Sequence, residues 1–298
     1  MAQTEPFSTT LRKHPHTIIP FALMHLAVIG LFFVPFRWPL VALCFATYAI
    51  RVFGVGAGYH RYFSHRSYKL NRLNQFLMAF LAESSAQKGI LWWAANHRDH
   101  HQNSDKVTDV HSPVQHGFWW SHVGWIVSDE YDTYDPARIR DFEKFPELRW
   151  LNKYHLVPPV ILGAAIFLLG GVSAFFWGFV LSTVLLYHAT FSINSLSHVW
   201  GKQRFATGDQ SRNNWVLALI TGGEGWHNNH HYYMASARQG ILWWEIDWTY
   251  YTLKLLSWLR FARDLRPFRW LSETEPAEST AAADRTLAQA SRYDAVRF

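Results

Sequence analysis

Residues 156–193 read LVPPVILGAAIFLLGGVSAFFWGFVLSTVLLYHATFSI, without one Asp, Glu, Lys or Arg. A membrane-spanning helix needs about 20 predominantly apolar residues, so this stretch suits two passes, broken at Gly170-Gly171. An earlier stretch, Thr17 to Ile50, carries one charge, Arg37, within the turn signal Phe36-Arg37-Trp38-Pro39. The pattern predicts helices near Ile18–Phe36, Leu40–Gly58, Leu156–Gly170 and Val172–Ile193, paired as two hairpins. Buried hairpins of a soluble protein are the bland alternative. Arg12 and Lys13 precede the first apolar run, which is too long for a signal-peptide core, so a retained anchor is expected. The single cysteine, Cys44, excludes a disulfide framework.

Two hairpins return the chain to one side before each polar block. The amino terminus, Tyr59–His155 and Asn194–Phe298 then share a compartment. They hold nearly all of the 28 Lys and Arg, while the opposite turns offer only Arg37. The positive-inside rule makes the shared side the cytosol. The expected fold is an all-α integral membrane protein: four transmembrane helices and a cytosolic helical cap, multi-pass, in a bacterial inner membrane. Residues 1–270 form the membrane domain. The tail 271–298, rich in Ala, Ser, Thr and Glu, is expected to be disordered. Arg51, inside the second span, is expected to snorkel toward the cytosolic interface, with pairing inside the bundle as the alternative.

Leu70, Leu73, Phe76, Leu77, Phe80 and Leu81 recur at helical spacing, predicting an amphipathic helix on the membrane surface or the cap. Gly240–Trp270 interleaves Trp243, Trp244, Trp248 and Trp258 with Lys254 and Arg260. That mixture suits either a headgroup belt or the core of the cap. The net charge of +6 comes without a groove-entering basic element. An anionic leaflet explains it better than nucleic acid.

The polar blocks carry chemistry. His97-Arg98-Asp99-His100-His101 recurs in essence as His227-Asn228-Asn229-His230-His231, and positions i, i+3 and i+4 share a helix face. With 17 His in the chain, one H-x-x-H-H arises by chance roughly 0.05 times, so two copies are not accidental. Imidazole-rich sites suit Fe, Zn, Cu or Ni. His60, His65 and His198 join these six, making nine ligands, enough for two ions. His60 and His65 are five apart, so they meet only if the helix ends or turns near Tyr62–Ser64. Asn194 shares the mouth of the last span with His198 and suits a metal-bound water. Asp99, Asp105, Asp109, Glu83 and Glu224 are candidates to orient imidazoles, against the bland reading of solvated carboxylates. His14, His16, His25 and His155 read as structural, and His111, His116, His122 and His188 carry little weight as ligands.

In its motifs the chain resembles the membrane fatty-acyl desaturases of the Δ9 type. His60-Arg61-Tyr62-Phe63-Ser64-His65-Arg66-Ser67-Tyr68-Lys69 is similar to that family's H-R-x-x-S/T-H-R-S-Y/F-K. Asn194-Ser195-Leu196-Ser197-His198 matches N-S-x-x-H, and Gly223-Glu224-Gly225-Trp226 with the third box matches G-E-G-W/F-H-N-x-H-H. The likeness runs from about residue 15 to 270. It implies a di-iron centre (Fe2+/Fe3+) on the nine histidines, a water near Asn194, O2 as co-substrate and a cis double bond formed in a saturated acyl chain.

Two departures stand out. Gln115-His116 replaces the basic residues of eukaryotic acyl-CoA members, and Asn96 stands where the family's second box has Asp. Both weaken the case for a phosphate-rich CoA headgroup, leaving acyl-CoA and acyl-lipid substrates open. With no room for a fused cytochrome b5 domain, an external ferredoxin or cytochrome b5 type donor is implied.

Breaking an unactivated C–H bond needs a redox metal, and the protein positions the chain in an apolar tunnel. Trp120 and Trp226 are candidate tunnel walls. The rivals are a membrane di-iron hydroxylase acting on a lipid chain and a non-redox metal-binding membrane protein.

Overall fold

The computed structural model describes residues 15–271. Arg12, Lys13, His14 and all but the first residue of the expected tail lie outside them. Helix α1, Pro15–Ala27, tightens into a 3₁₀ stretch at Val28–Phe33. Helix α2, Trp38–Phe53, follows with Pro39 in its first turn, where the missing N–H costs nothing. It runs on past the expected end at Gly58 as a wider winding over Gly54–Ser64. The cap uses α3 (Arg72–Glu83), α4 (Ile90–Asn103) and α5 (Pro146–Lys153). The second apolar block is α6 (Val157–Phe175), a wide turn at Phe176–Leu181, and α7 (Ser182–Ser195). Short α8, His227–Tyr232, carries the last histidine box, and α9 spans Trp248–Trp258.

The second hairpin turns where the sequence places its break. Gly171 sits at φ +71°, ψ −169°, a conformation essentially reserved for glycine. Beyond it the chain folds back: the Phe167 and Phe175 rings lie 6.2 Å apart, and a Cβ on Gly163 would touch Phe179. At the same end, Phe36 meets Trp177, with ring centroids 5.7 Å apart, so both hairpin turns lie together. His60, His65 and His198 sit at the opposite end. Trp38–Ser64 and Val157–His198 are long and apolar enough to cross a membrane, and Thr17–Phe33 is a shorter apolar helix.

Arg51 does not snorkel. Its side chain is buried between helices, donating to Thr183 Oγ1 at 2.7 Å, to Ser182 Oγ and to the Thr47 carbonyl at 3.1 Å. Hydroxyls of α7 satisfy the guanidinium without a carboxylate, and the Phe179 ring lies 5.8 Å from it.

Helix α3 forms where the spacing predicts one, but the face it buries is not the predicted Leu and Phe stripe. It packs Met78, Ala79 and Ala82 against Gly54–Ser64 and leaves Leu73 and Leu77 exposed. Asn71 caps it by accepting from Asn74 N at 2.8 Å. Trp243 and Trp258 are exposed as well, at 89% and 79%, so the aromatic segment covers the cap rather than filling it. A short antiparallel ladder, Lys69–Leu70 with Ala262–Arg263, ties this segment beside the first histidine box. Its neighbour Arg266 N donates to Ser67 O at 2.9 Å.

Candidate metal centre

The wide winding at Gly54–Ser64 brings His60 and His65 together. An α-helix bonds each N–H to the carbonyl four back, whereas here His65 N donates to His60 O, five back, at 3.2 Å. The extra residue per turn swings His65 toward His60, and the rings meet at 4.8 Å. Gly56 makes room for the next component: a Cβ there would come within 2.7 Å of Glu224 Oε1.

All nine predicted histidines converge, in two groups. His60, His65, His97, His101 and His230 bring one ring nitrogen each within 4.8 Å of one another, and His100, His198, His227 and His231 do the same. Each helical box is divided between them. On α4 the i, i+4 pair His97 and His101 joins the first group while His100, turned to the other side, joins the second. On α8 the pair His227 and His231 joins the second group and His230 crosses to the first.

In the first group the contacts are all between Nε2 atoms. His60 to His230, His65 to His97 and His97 to His101 are each 2.9 Å, and His101 to His230 is 3.0 Å. Two ligands at about 2.1 Å from one ion and at right angles would stand about 3.0 Å apart, so this spacing fits metal coordination. Hydrogen bonding does not account for it. His97 Nε2 faces two other Nε2 atoms, and a single N–H serves only one. In the second group His198 Nε2 and His227 Nε2 are 3.1 Å apart, and buried His231 Nε2 has no hydrogen-bond partner among the described residues.

Carboxylates hold the outer nitrogens. Asp109 accepts from His100 Nδ1 at 3.0 Å, Asp105 from His198 Nδ1 at 2.9 Å and Asp209 from His231 Nδ1 at 2.7 Å. Glu224 accepts from His60 Nδ1, from the Arg61 guanidinium at 2.9 Å and from Gln239 at 2.9 Å. With Nδ1 protonated by these contacts, Nε2 keeps its lone pair pointing inward. Burial opposes ionisation of Glu224, but Arg61 and His60 outweigh it and hold the carboxyl down at about 2. Burial likewise opposes ionisation of Asp105, yet His198 and Ser112 bring it to about 2. Asp109 and Asp209 are held still lower against burial, by His100 and His111 and by His231 respectively. Burial and neighbouring imidazoles push His65, His97, His101, His227 and His230 well below the usual histidine range, so they are neutral donors.

Of the five acids singled out from sequence, Asp105, Asp109 and Glu224 orient imidazoles. Asp99 pairs instead with Arg138 at 2.7 Å. Glu83 accepts from Ile90 N at 2.8 Å, capping α4. Asp209 went unrecognised because it sits in the loop 207–211, held by Thr207 and Ser211, where no spacing rule ties it to a histidine. Asn194 lines a small cavity of about 40 Å³ together with His100, His198 and His227.

Of the other histidines, His111 adjoins the second cluster, where with His100 and Asp109 it makes a third group able to hold a metal ion; the rest lie elsewhere. The His16 side chain is outside the described residues. His111 packs on His100, ring centroids 4.3 Å apart, and His116 Nε2 contacts the Asp109 carbonyl at 3.0 Å. His25, His188 and His122 form a row, with ring nitrogens 3.1 and 3.0 Å apart, ending on Ser195 Oγ. His155 and His111 line a large cavity of about 880 Å³ that also reaches His97 and Asn194. Its walls include Trp92, Trp93 and Trp125, not Trp120 or Trp226. Trp120 is turned away to donate to Val110 O at 3.0 Å and Trp226 to Ile246 O at 2.9 Å.

Two buried imidazole clusters, each able to hold a metal ion, beside a largely apolar cavity define a histidine-rich helical class, two of whose helices are long and apolar enough to cross a membrane. The fatty acid desaturase family model matches residues 36–254, and the chain belongs to that family. It is therefore an enzyme of lipid metabolism.

Relatives named as desaturases cover most of it. The "acyl-CoA C20 Delta5-desaturase" of Anemone leveillei is 39% identical, over 78% of this chain and 75% of its own. The "palmitoyl-monogalactosyldiacylglycerol delta-7 desaturase, chloroplastic" of Arabidopsis thaliana is 38% identical over 78% of this chain, which spans only 63% of that protein. The "sn-1 stearoyl-lipid 9-desaturase" of Synechocystis sp. is 37% identical, over 83% of this chain and 78% of its own. Their names differ in both acyl carrier and bond position.

Proposed function

We propose that this protein is an O2-dependent desaturase that places a cis double bond, at Δ9, in a saturated fatty-acyl chain. The observation that carries this is the cavity of about 880 Å³ meeting the histidines: His97, Trp93, Thr190 and Asn194 line both it and the small cavity between the clusters. Its volume falls in the ordinary range for ligand sites, roughly 300–1,000 Å³. Two iron ions fit the donor set, one on His60, His65, His97, His101 and His230, the other on His100, His198, His227 and His231. When bound, this iron pair supplies the redox chemistry that, with O2 and two external electrons, removes hydrogens from adjacent methylenes. The chain's own residues do the positioning. Apolar walls hold the methylenes against the inner end of the cavity and exclude water. The carboxylates keep the Nδ1 protons of His60, His100, His198 and His231 in place so that their Nε2 atoms face inward. The space of about 40 Å³ beside Asn194 is enough for a water molecule held by its amide.

The same reading takes residues 1–270 as one desaturase domain with four membrane crossings, both termini and the histidines on the cytosolic side of a bacterial inner membrane. The common end of the two hairpin turns and the charge distribution support it. A ferredoxin or cytochrome b5 type carrier would deliver the electrons.

Expression in a host lacking unsaturated fatty acids, with gas chromatography of its lipids, tests the reading. The parent should yield a mono-unsaturated chain, and His101→Ala or His230→Ala none, although each still enters the membrane. A hydroxylated chain from the parent would favour a hydroxylase instead, and activity retained in either variant would refute the ligand assignment.

A further inference from the structure

The large cavity is nearly free of charge. Among the described residues, the one cationic side chain on its walls is Lys88, and the one carboxylate is Asp132. These two are paired at 2.6 Å, and the Lys88 ammonium also lies 4.5 Å from the Trp92 ring centroid. Asp129-Glu130-Tyr131-Asp132 makes the adjoining segment acidic. A CoA thioester brings several phosphate charges, which proteins grip with Arg and Lys forks or with free N–H groups at a helix start.

The helix start that borders the cavity is already satisfied. Ile90 N donates to Glu83 Oε1 at 2.8 Å, and Leu91 N and Trp92 N donate to Asn152 Oδ1 at 3.0 and 2.9 Å. Gln115 and His116 offer no clamp either, since they contact the carbonyls of Asp105 and Asp109 and do not line the cavity.

What the rim does offer is apolar surface on two of the helices read above as membrane-spanning. Pro20 on α1 lines it, with Leu156 just before α6 and Val160 on α6, the last two 60% and 64% exposed. Beside them His155 also lines the cavity, and its buried Nδ1 has no hydrogen-bond partner among the described residues. An uncharged ester group would suit that nitrogen, and the cation beside it among the described residues, Lys88, is already taken by Asp132.

We propose that the substrate is the acyl chain of a membrane glycerolipid, still esterified, which enters sideways between α1 and α6, and that acyl-CoA is excluded. This rests on the desaturase reading and names the carrier for it.

The full-length protein, purified with its metal and supplied with reduced ferredoxin, tests the assignment in two preparations. One uses vesicles of distearoyl phosphatidylglycerol. The other uses stearoyl-CoA added to vesicles of a branched, fully saturated diphytanoyl lipid. Double bonds in the phosphatidylglycerol chains, with stearoyl-CoA left intact, are expected. Turnover of stearoyl-CoA with the phosphatidylglycerol chains unchanged overturns the carrier assignment and leaves the desaturase reading standing. No double bond in either preparation overturns that reading and the carrier assignment with it. Asp132→Lys adds a cation and frees Lys88, so turnover of stearoyl-CoA should rise at least about tenfold above the parent's background, as even one charge-assisted phosphate contact allows. No rise would count against charge as the reason CoA is refused.

Discussion

The amide nitrogen of His65 lies 3.2 Å from the carbonyl oxygen of His60, five residues back. That single change of register lets the first histidine box contribute two ligands to one cluster, and the rest of the site is built to hold it in place. Arg61, between them in sequence, turns the other way and is buried between Glu224 and Asp247, 2.9 Å from each.

Removing Arg61 should therefore do more harm than removing a surface arginine. Arg61→Ala leaves two carboxylates buried without their cation, a loss of about 3–5 kcal/mol in comparable buried pairs. Thermal unfolding of the detergent-solubilised protein should show a large drop in midpoint. An unchanged midpoint would mean that the bridge is not structural.

The two clusters are not supported equally. Asp105, Asp109 and Asp209 back the second cluster, whereas among the described residues Glu224 is the one carboxylate that backs the first. Asp209→Asn should weaken metal binding at the second cluster about 10–100-fold, the usual effect of losing such a partner. Competition with a graded chelator would then release one ion early and leave the other. Simultaneous release of both, as in the parent, would show that Asp209 does not act on one site.

Glu83 makes stability depend on pH. Burial raises its carboxyl from 4.5 to about 8, with Ile90 N pulling weakly the other way. Its folded value lies above the unfolded one, so the folded protein keeps a proton that the unfolded chain has released between those values. This contribution is complete at low pH and is lost as the pH climbs through about 8, amounting to a few kcal/mol. Glu83→Gln keeps the acceptor for Ile90 N and removes the titration. Its unfolding midpoint should fall less than the parent's between about pH 5 and 8. Parallel midpoint curves for the two proteins would show that Glu83 is not protonated in the fold.

Much of this was legible in the chain because it rests on short-range periodicity. Uncharged runs mark the apolar helices, and Gly170-Gly171 marks the turn. The spacing of His97, His100 and His101 puts three rings on a helix, and the order of motifs points to the family. What stayed hidden depends on contacts distant in sequence. Nothing local distinguishes a bond to the fourth residue from one to the fifth, so the meeting of His60 and His65 could be posed only as a condition. The division of each box between two clusters follows from how α4 and α8 face each other. Arg51 finds hydroxyls 131 and 132 positions away, beyond the reach of any spacing rule. Trp93 and Trp125 line the cavity where Trp120 and Trp226 were expected, because an aromatic residue's neighbours are set by packing and not by its identity.

The most direct test is the metal content of protein that demonstrably forms a double bond in the same preparation. Two iron ions per chain are expected, and His101→Ala should lose the ion of the first cluster together with activity. Double-bond formation by protein that holds zinc alone, or no metal, would contradict the iron chemistry proposed for the nine histidines.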